Sequence, residues 1–73
     1  MWLYRSPIGK IYIVQLPDGR YGMRYNDIIW ESCYSPEAEA DDVYMQVTGC
    51  DEWDSLDTTN IDVPMDLSMW ERI

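Results

Sequence analysis

The sequence predicts an α+β domain in which a three-stranded antiparallel sheet packs against one helix. Between positions 9 and 34, runs of β-branched and aromatic residues alternate with turn residues, and a helix-capping motif follows directly. Of the 73 residues, 47% are hydrophobic, including four Trp and six Tyr, which suffices for one compact core. A chain of this length allows one domain, so residues 1–73 are expected to form a single domain.

The three predicted strands are Gly9–Leu16, Arg20–Tyr25 and Ile28–Tyr34. In the first, Ile11 and Ile13 alternate with outward positions, as half-buried strands require. The residues Pro-Asp-Gly separate the first two strands and Asn-Asp separates the last two, and both combinations favour tight turns. The pattern therefore indicates an antiparallel meander.

A helix is predicted from Ser35, as its N-terminal cap, with Pro36 at its first position. It is expected to run to about Thr48, with Gly49 ending it. Its sheet-facing stripe is predicted to comprise Ala40, Val43, Tyr44 and Val47.

The rest of the chain is expected to complete the core. Residues 50–60 are acidic and rich in turn formers, whereas apolar residues recur from position 61 to the C-terminus. Either Pro64 or Asp66 could open a short terminal helix.

Charge is unevenly distributed along the chain. Residues 1–24 hold four basic residues and one acid, whereas residues 25–73 hold thirteen acids and one arginine. The formal net charge is −9. Such asymmetry points to an interaction surface or to simple solubility.

Composition argues against an enzyme and against a cofactor. Histidine is absent, so neither a histidine general base nor a Ser-His or Cys-His pair can be built. The carboxylates around positions 51–57 do not match a calcium-binding loop, and two cysteines without histidine do not make a structural zinc site. We therefore expect no catalytic residue, no metal and no cofactor.

No membrane segment or signal peptide is visible, since no apolar run approaches 18 residues and no cleavage site follows the N-terminus. A cytoplasmic location is the resulting expectation. Two cysteines in such a chain are more often free thiols than a disulfide, so Cys33 and Cys50 are expected to be unpaired.

Acids gather on the predicted helix and in the segment after it. Glu37 and Asp41 lie four residues apart, where like charges repel by about 0.2–0.5 kcal/mol, so the sequence is expected to use that charge. An acidic surface with an aromatic anchor suits docking onto a basic protein, although such a surface could also serve solubility alone. The predicted partner-binding residues are Glu37, Glu39, Asp41, Asp42, Asp51, Glu52, Trp53, Asp54 and Asp57.

Two alternatives remain open. The first is a DNA-binding sheet that uses Arg5, Lys10, Arg20 and Arg24, although a net charge of −9 opposes a phosphate backbone. The segment RYGMRYNDIIWESCYSPEAEADDVY resembles the DNA-binding domains of plant ethylene-response factors and integrase arm regions, in which the sheet reads DNA. The second is a homodimer or larger homo-oligomer with aromatic residues at its interface.

Across most of its length the chain resembles small acidic proteins of gut Firmicutes, their phages and their integrated elements. The phrases that carry this resemblance are SPIGKIYI, DGRYGM and SPEAEADDVYMQVTGCDEWDSLD. By size and charge alone it is similar to anti-CRISPR proteins, which block basic nucleic-acid-binding machines. The resemblance implies a phage or mobile-element interaction protein that binds, and can thereby inhibit, a basic nucleic-acid-binding protein.

Overall fold

One antiparallel sheet of five strands forms the body of the protein, which a computed structural model describes over residues 1–73. The strands are β1 (Trp2–Ser6), β2 (Gly9–Gln15), β3 (Tyr21–Tyr25), β4 (Ile28–Cys33) and β5 (Glu71–Arg72). Their order across the sheet is β4-β3-β2-β1-β5. The predicted meander is present as β2, β3 and β4, but the predicted number of three strands was wrong.

The two additional strands extend the sheet beyond β2. In the β1–β2 pair, Trp2 lies opposite Ile13 and Tyr4 opposite Ile11, which continues the inward-facing row of large side chains. The short β5 then pairs with Trp2 and Leu3 at the edge. The N-terminal strand β1 therefore lies directly beside the C-terminal strand β5, which forms one edge of the sheet.

Both predicted turns are confirmed. Between β2 and β3, Asp18 Oδ1 accepts a hydrogen bond from the Arg20 amide, and Gly19 adopts a φ of 86°. Between β3 and β4, Asn26 and Asp27 have φ values of 54° and 61°, as a type I′ hairpin turn requires.

The main helix, α1 (Pro36–Met45), begins as predicted but ends earlier. Ser35 Oγ accepts a hydrogen bond from the Ala38 amide, which caps the helix. The helix ends at Gln46, whose φ of 57° is left-handed, rather than near Gly49. The Gln46 side-chain amide donates to the carbonyls of Trp53 and Leu56, each at 2.8 Å, so the chain is held folded back on the helix end.

The buried face of α1 differs from the predicted stripe. Tyr44 and Val47 are 41% and 58% exposed, so their expected place against the sheet was wrong. The buried helix residues are Glu39, Ala40 and Val43. Val47 lies beyond the end of the helix at Gln46. The helix is rotated so that the Glu39 side chain lies on its buried face.

Trp53 occupies the space at the end of α1. It lies in the short helix α2 (Asp51–Asp54), is fully buried, and donates from Nε1 to the Val43 carbonyl at 2.9 Å. Its ring meets Tyr4 edge-on at 5.9 Å between centroids, and Tyr4 in turn meets Trp70 at 5.6 Å. The hydrophobic core comprises Tyr4, Ile11, Ile13, Met23, Ala40, Val43, Cys50, Trp53 and Trp70.

The C-terminal segment closes over this core, as expected. Asp66 caps a 3-10 turn (Leu67–Met69) by accepting from the Ser68 amide, which selects Asp66 over Pro64 as the start of the terminal helical turn. None of the helices combines the length and hydropathy needed to cross a bilayer.

We expect replacement of Trp53 by alanine to remove about 3–5 kcal/mol from the free energy of unfolding. That is much of the roughly 4–11 kcal/mol typical of a chain this size. Urea denaturation monitored by circular dichroism measures the change. Tyr34→Ala, at a side chain that is 86% exposed, is the control and should cost less than about 1 kcal/mol. Equal losses in the two variants would contradict the burial of Trp53.

Candidate functional site

The acids of the helix layer have almost no cationic partners. The structure contains one salt bridge, between Arg5 and Glu71 at 3.0 Å, and it lies on the sheet. No basic residue occurs between Arg24 and Arg72, the part of the chain that forms β4, both α-helices and the C-terminal segment. Negative charge on this layer is therefore not neutralised within the molecule.

The predicted partner-binding acids differ in whether their carboxylates already accept hydrogen bonds within the chain. Glu37, Asp41 and Asp51 are exposed and accept no hydrogen bond through their carboxylates. Asp54, in contrast, accepts from the amides of Thr48 and Gly49 and from the Thr48 hydroxyl, so it holds the turn before α2.

Two more of the predicted acids have local partners but remain exposed. Glu52 Oε2 accepts from the Tyr25 hydroxyl at 2.6 Å, which ties α2 to the end of β3. Asp57 accepts from the amide and hydroxyl of Thr59, and these bonds lower the pKa of its carboxyl group. Both carboxylates still face solvent.

Two predicted partner-binding residues are not on the surface. Glu39 is fully buried against the sheet, and Trp53 is fully buried in the core. The prediction that these side chains contact a partner was therefore wrong. Trp53 packs in the hydrophobic core, and the rotation of α1 turns the Glu39 side chain toward the sheet and away from solvent.

Glu39 faces three other polar side chains across the interface between α1 and β4. One ligand-type atom from each of Glu31, Cys33, Glu39 and Asp42 lies within 4.8 Å of the others. Cys33 Sγ is 3.7 Å from Glu31 Oε1 and 3.5 Å from Asp42 Oδ2. We call these four residues the carboxylate–thiol cluster; no lysine or arginine forms an ion pair with it.

A bulge in β4 shapes this cluster. Tyr21 pairs with Cys33 and Met23 with Trp30, so two residues of β4 lie opposite the single Gly22 of β3. A side chain at Gly22 would meet Ile29 Cγ2 at 2.9 Å, so the bulge depends on glycine there. The extra residue is Glu31, whose φ of 52° is unusual for glutamate.

Burial and mutual repulsion make it costly for the cluster to be fully ionised. Burial, followed by the neighbouring Glu31 carboxyl group and the charge of Asp42, raises the pKa of Glu39 far above its usual range. Burial also raises the pKa of Glu31, and burial with the charge of Glu39 raises the pKa of Cys33 to about 12. The site must hold protons or a cation to compensate these groups.

A groove of about 490 Å³ opens between the end of α1 and the C-terminal segment. We call it the acidic groove, and it is lined by Tyr44, Met45, Thr58, Ile61, Asp62, Val63 and Met65. Met45 and Met65 are 60% and 62% exposed, so the groove presents flexible apolar side chains to solvent.

One acidic residue lines this groove, and three more lie near its lining residues in the sequence. Asp62 lines it, Asp57 and Asp66 adjoin the lining residues Thr58 and Met65 in sequence, and Asp41 lies about one helical turn before Tyr44 and Met45. The groove thus combines an apolar floor with one exposed carboxylate in its lining, that of Asp62. Sequence reasoning selected Asp41 and Asp57 but missed the methionines, whose grouping depends on how the C-terminal segment folds back.

The four basic residues proposed for DNA binding are mostly engaged within the molecule. Arg5, Lys10 and Arg24 lie on the sheet face opposite α1, where Arg5 bonds Glu71 and Arg24 lies 4.6 Å from the centroid of the Tyr12 ring. Arg20 donates to the hydroxyl and carbonyl oxygens of Ser32. Lys10 alone among them makes no hydrogen bond, ion pair or cation–π contact.

Both cysteines are free thiols, with Cys33 half-buried in the carboxylate–thiol cluster and Cys50 buried in the core. No protein-family model, curated protein or solved structure matches this chain.

The Tyr25–Glu52 hydrogen bond predicts a pH-dependent contribution to stability. Donation to the Glu52 carboxylate raises the pKa of Tyr25 from 10.0 to about 12 in the folded protein. The bond's contribution should therefore be complete below pH 10, where unfolded tyrosine is protonated, and disappear as pH rises through about 12.

Urea midpoints of wild type and Tyr25→Phe measure this effect. The wild type should exceed the variant by a constant amount from neutral pH to about pH 10, and the gap should close near pH 12. Tyr34→Phe, at an exposed ring, is the matched control and should show no such trend. A gap that widens with pH for Tyr25→Phe would contradict the assignment.

Proposed function

We propose that this chain is a non-enzymatic interaction protein of phage or mobile-element type that binds a basic, nucleic-acid-binding protein. A segment of that partner protein would lie in the acidic groove. The observation that carries the proposal is that the exposed Met45 and Met65 line one groove with Asp62, an exposed carboxylate that forms no ion pair. Occupation of the partner's basic surface would compete with nucleic acid, so inhibition is the expected consequence.

The apolar floor supplies the anchoring contacts of this proposal. Methionine is unbranched and polarisable, so Met45 and Met65 can adapt to side chains of different shape. Tyr44 adds an aromatic ring with a polar end, a residue type that is enriched at binding hot spots. These three residues take the anchoring role that the sequence alone assigned to Trp53.

The carboxylates supply steering and selectivity. Asp41, Asp57, Asp62 and Asp66 are all exposed, and none forms an ion pair within the chain. Such a field accelerates encounter with a basic partner and disfavours an acidic one. Because these charges are solvent-exposed, added salt should weaken the interaction.

The alternative of DNA binding through the sheet has less support. Glu71 neutralises Arg5, and Ser32 occupies donors of Arg20, so fewer cations are free to contact phosphates than the sequence suggests. Homodimerisation through exposed aromatic residues stays a prediction.

A synthetic amphipathic peptide with lysines on one face and leucines on the other tests the groove directly. Fluorescence anisotropy should show binding that weakens between low and physiological salt. Combined Met45→Ala and Met65→Ala should raise Kd about tenfold or more through lost apolar contact. Combined Asp41→Asn and Asp62→Asn should raise it about fivefold at low salt.

The control for the charge variant is Asp18→Asn combined with Asp27→Asn, which changes the net charge equally at two turn residues that do not line the groove. This control should bind as the wild type does. The proposal fails if the two charge variants weaken binding equally, or if a peptide with glutamates in place of lysines binds as tightly.

A further inference from the structure

The carboxylate–thiol cluster joins two elements that the chain brings together only on folding. Glu31 and Cys33 lie on β4, which is an edge strand, whereas Glu39 and Asp42 lie one helical turn apart on α1. Their potential ligand atoms lie within 4.8 Å of one another. Sequence spacing does not reveal this grouping, because the pairs meet through the β4 bulge and the rotation of α1.

The decisive observation is the state of Glu39. Its side chain is fully buried, and neither carboxylate oxygen has a hydrogen-bond partner. A buried polar group without a partner is costly, and a buried carboxylate more so. Glu39 points into the cluster, where a proton shared with a neighbouring carboxyl group or a bound cation would compensate its charge.

We infer that Glu31, Cys33, Glu39 and Asp42 bind one divalent transition-metal ion of the zinc class. This site lies outside the acidic groove and does not depend on the proposed function. The sequence alone favoured no metal, because its carboxylates do not match a calcium-binding loop and two cysteines without histidine do not make a structural zinc site.

The ligand set selects the type of ion. Zinc takes four ligands at about 2.0–2.3 Å, which places neighbouring ligand atoms about 3.3–3.8 Å apart in a tetrahedron. The most widely separated ligand atoms of the cluster would therefore approach each other by about 1–1.5 Å, which side-chain rotation can supply. Calcium prefers six to eight oxygen ligands and magnesium prefers octahedral oxygen coordination, so a sulfur among four ligands favours the zinc class. The Cys33 thiol would lose its proton to water as the metal–sulfur bond forms, because the thiolate is the ligand.

An ion can reach this site from solvent, because Glu31, Cys33 and Asp42 are only half-buried. Once bound, it would join the edge strand β4 to α1 and offset part of the local negative charge. Structural metals commonly stabilise domains of this size, whose cores are small. The ion would thus stabilise the contact between the sheet and the helix α1.

Cobalt titration of the full chain tests the proposal. The protein is treated with chelator, kept reduced with a phosphine, and titrated with Co²⁺ as a spectroscopic substitute for Zn²⁺. We expect saturation at one equivalent with near-ultraviolet thiolate-to-cobalt absorption, which Zn²⁺ then removes. At about a hundredfold excess over its Kd, Zn²⁺ should raise Tm by about 10–20 °C.

Variants separate this site from unspecific binding. Cys33→Ser should abolish the thiolate band, and Glu39→Gln should raise the Kd for Zn²⁺ at least about tenfold to a hundredfold. The matched controls are Cys50→Ala, which removes the other thiol, and Glu37→Gln, which removes an exposed carboxylate from the same helix; both should bind Co²⁺ and Zn²⁺ as the wild type does. If Glu39→Gln does not fold, Asp42→Asn replaces it.

Three results would overturn the inference. They are a cobalt spectrum without thiolate absorption, an unchanged Zn²⁺ affinity in Glu39→Gln or its replacement, and a Tm rise with Ca²⁺ or Mg²⁺ as large as that with Zn²⁺. Each would leave the peptide-binding experiment on the acidic groove unaffected.

Discussion

The hydrogen bond from Trp53 Nε1 to the Val43 carbonyl, made by a fully buried indole, determines how the second half of this chain is arranged. It holds the segment after α1 against the helix end, where the Gln46 amide adds two further bonds to backbone carbonyls. With the segment folded back, the C-terminal residues can cross the core and add β5 to the sheet. Tyr44 and Met45 are left at the surface, where they form one wall of the acidic groove.

Negative charge has two separate consequences in this structure. In the acidic groove the carboxylates are exposed, so water and salt reduce their mutual repulsion, and their field acts mainly on approaching molecules. In the carboxylate–thiol cluster the same kind of group is buried or half-buried, where repulsion is stronger and a proton or cation must compensate it. The exposed acids at the acidic groove thus favour recognition of a basic partner, whereas the acids of the carboxylate–thiol cluster favour binding of a cation. Both arise because the helix layer has no internal counter-ion.

Local sequence signals predicted the local structure well. Ile11 and Ile13 alternate as a half-buried strand should, and Ser35 with Pro36 starts α1 as predicted. The strand β1 carries a similar signal in Trp2 and Tyr4, but β5 is two residues long and forms only because β1 offers it an edge. The site was harder to predict, since Glu39 and Trp53 look like surface residues in an acidic segment. Their burial depends on helix rotation and on packing between residues distant in sequence, which periodicity does not encode.

Hydrogen exchange of the four indole Nε1 protons, followed by NMR, tests most directly whether Trp53 holds the helix layer in place. We expect the Trp53 proton to exchange most slowly of the four, because its side chain is fully buried and bonded to Val43. The Trp30 proton, whose bond to the Tyr25 carbonyl is 3.4 Å long and only partly buried, should exchange faster. A Trp53 proton that exchanges as fast as that of Trp30 would contradict the account, because the indole would then be available at the surface.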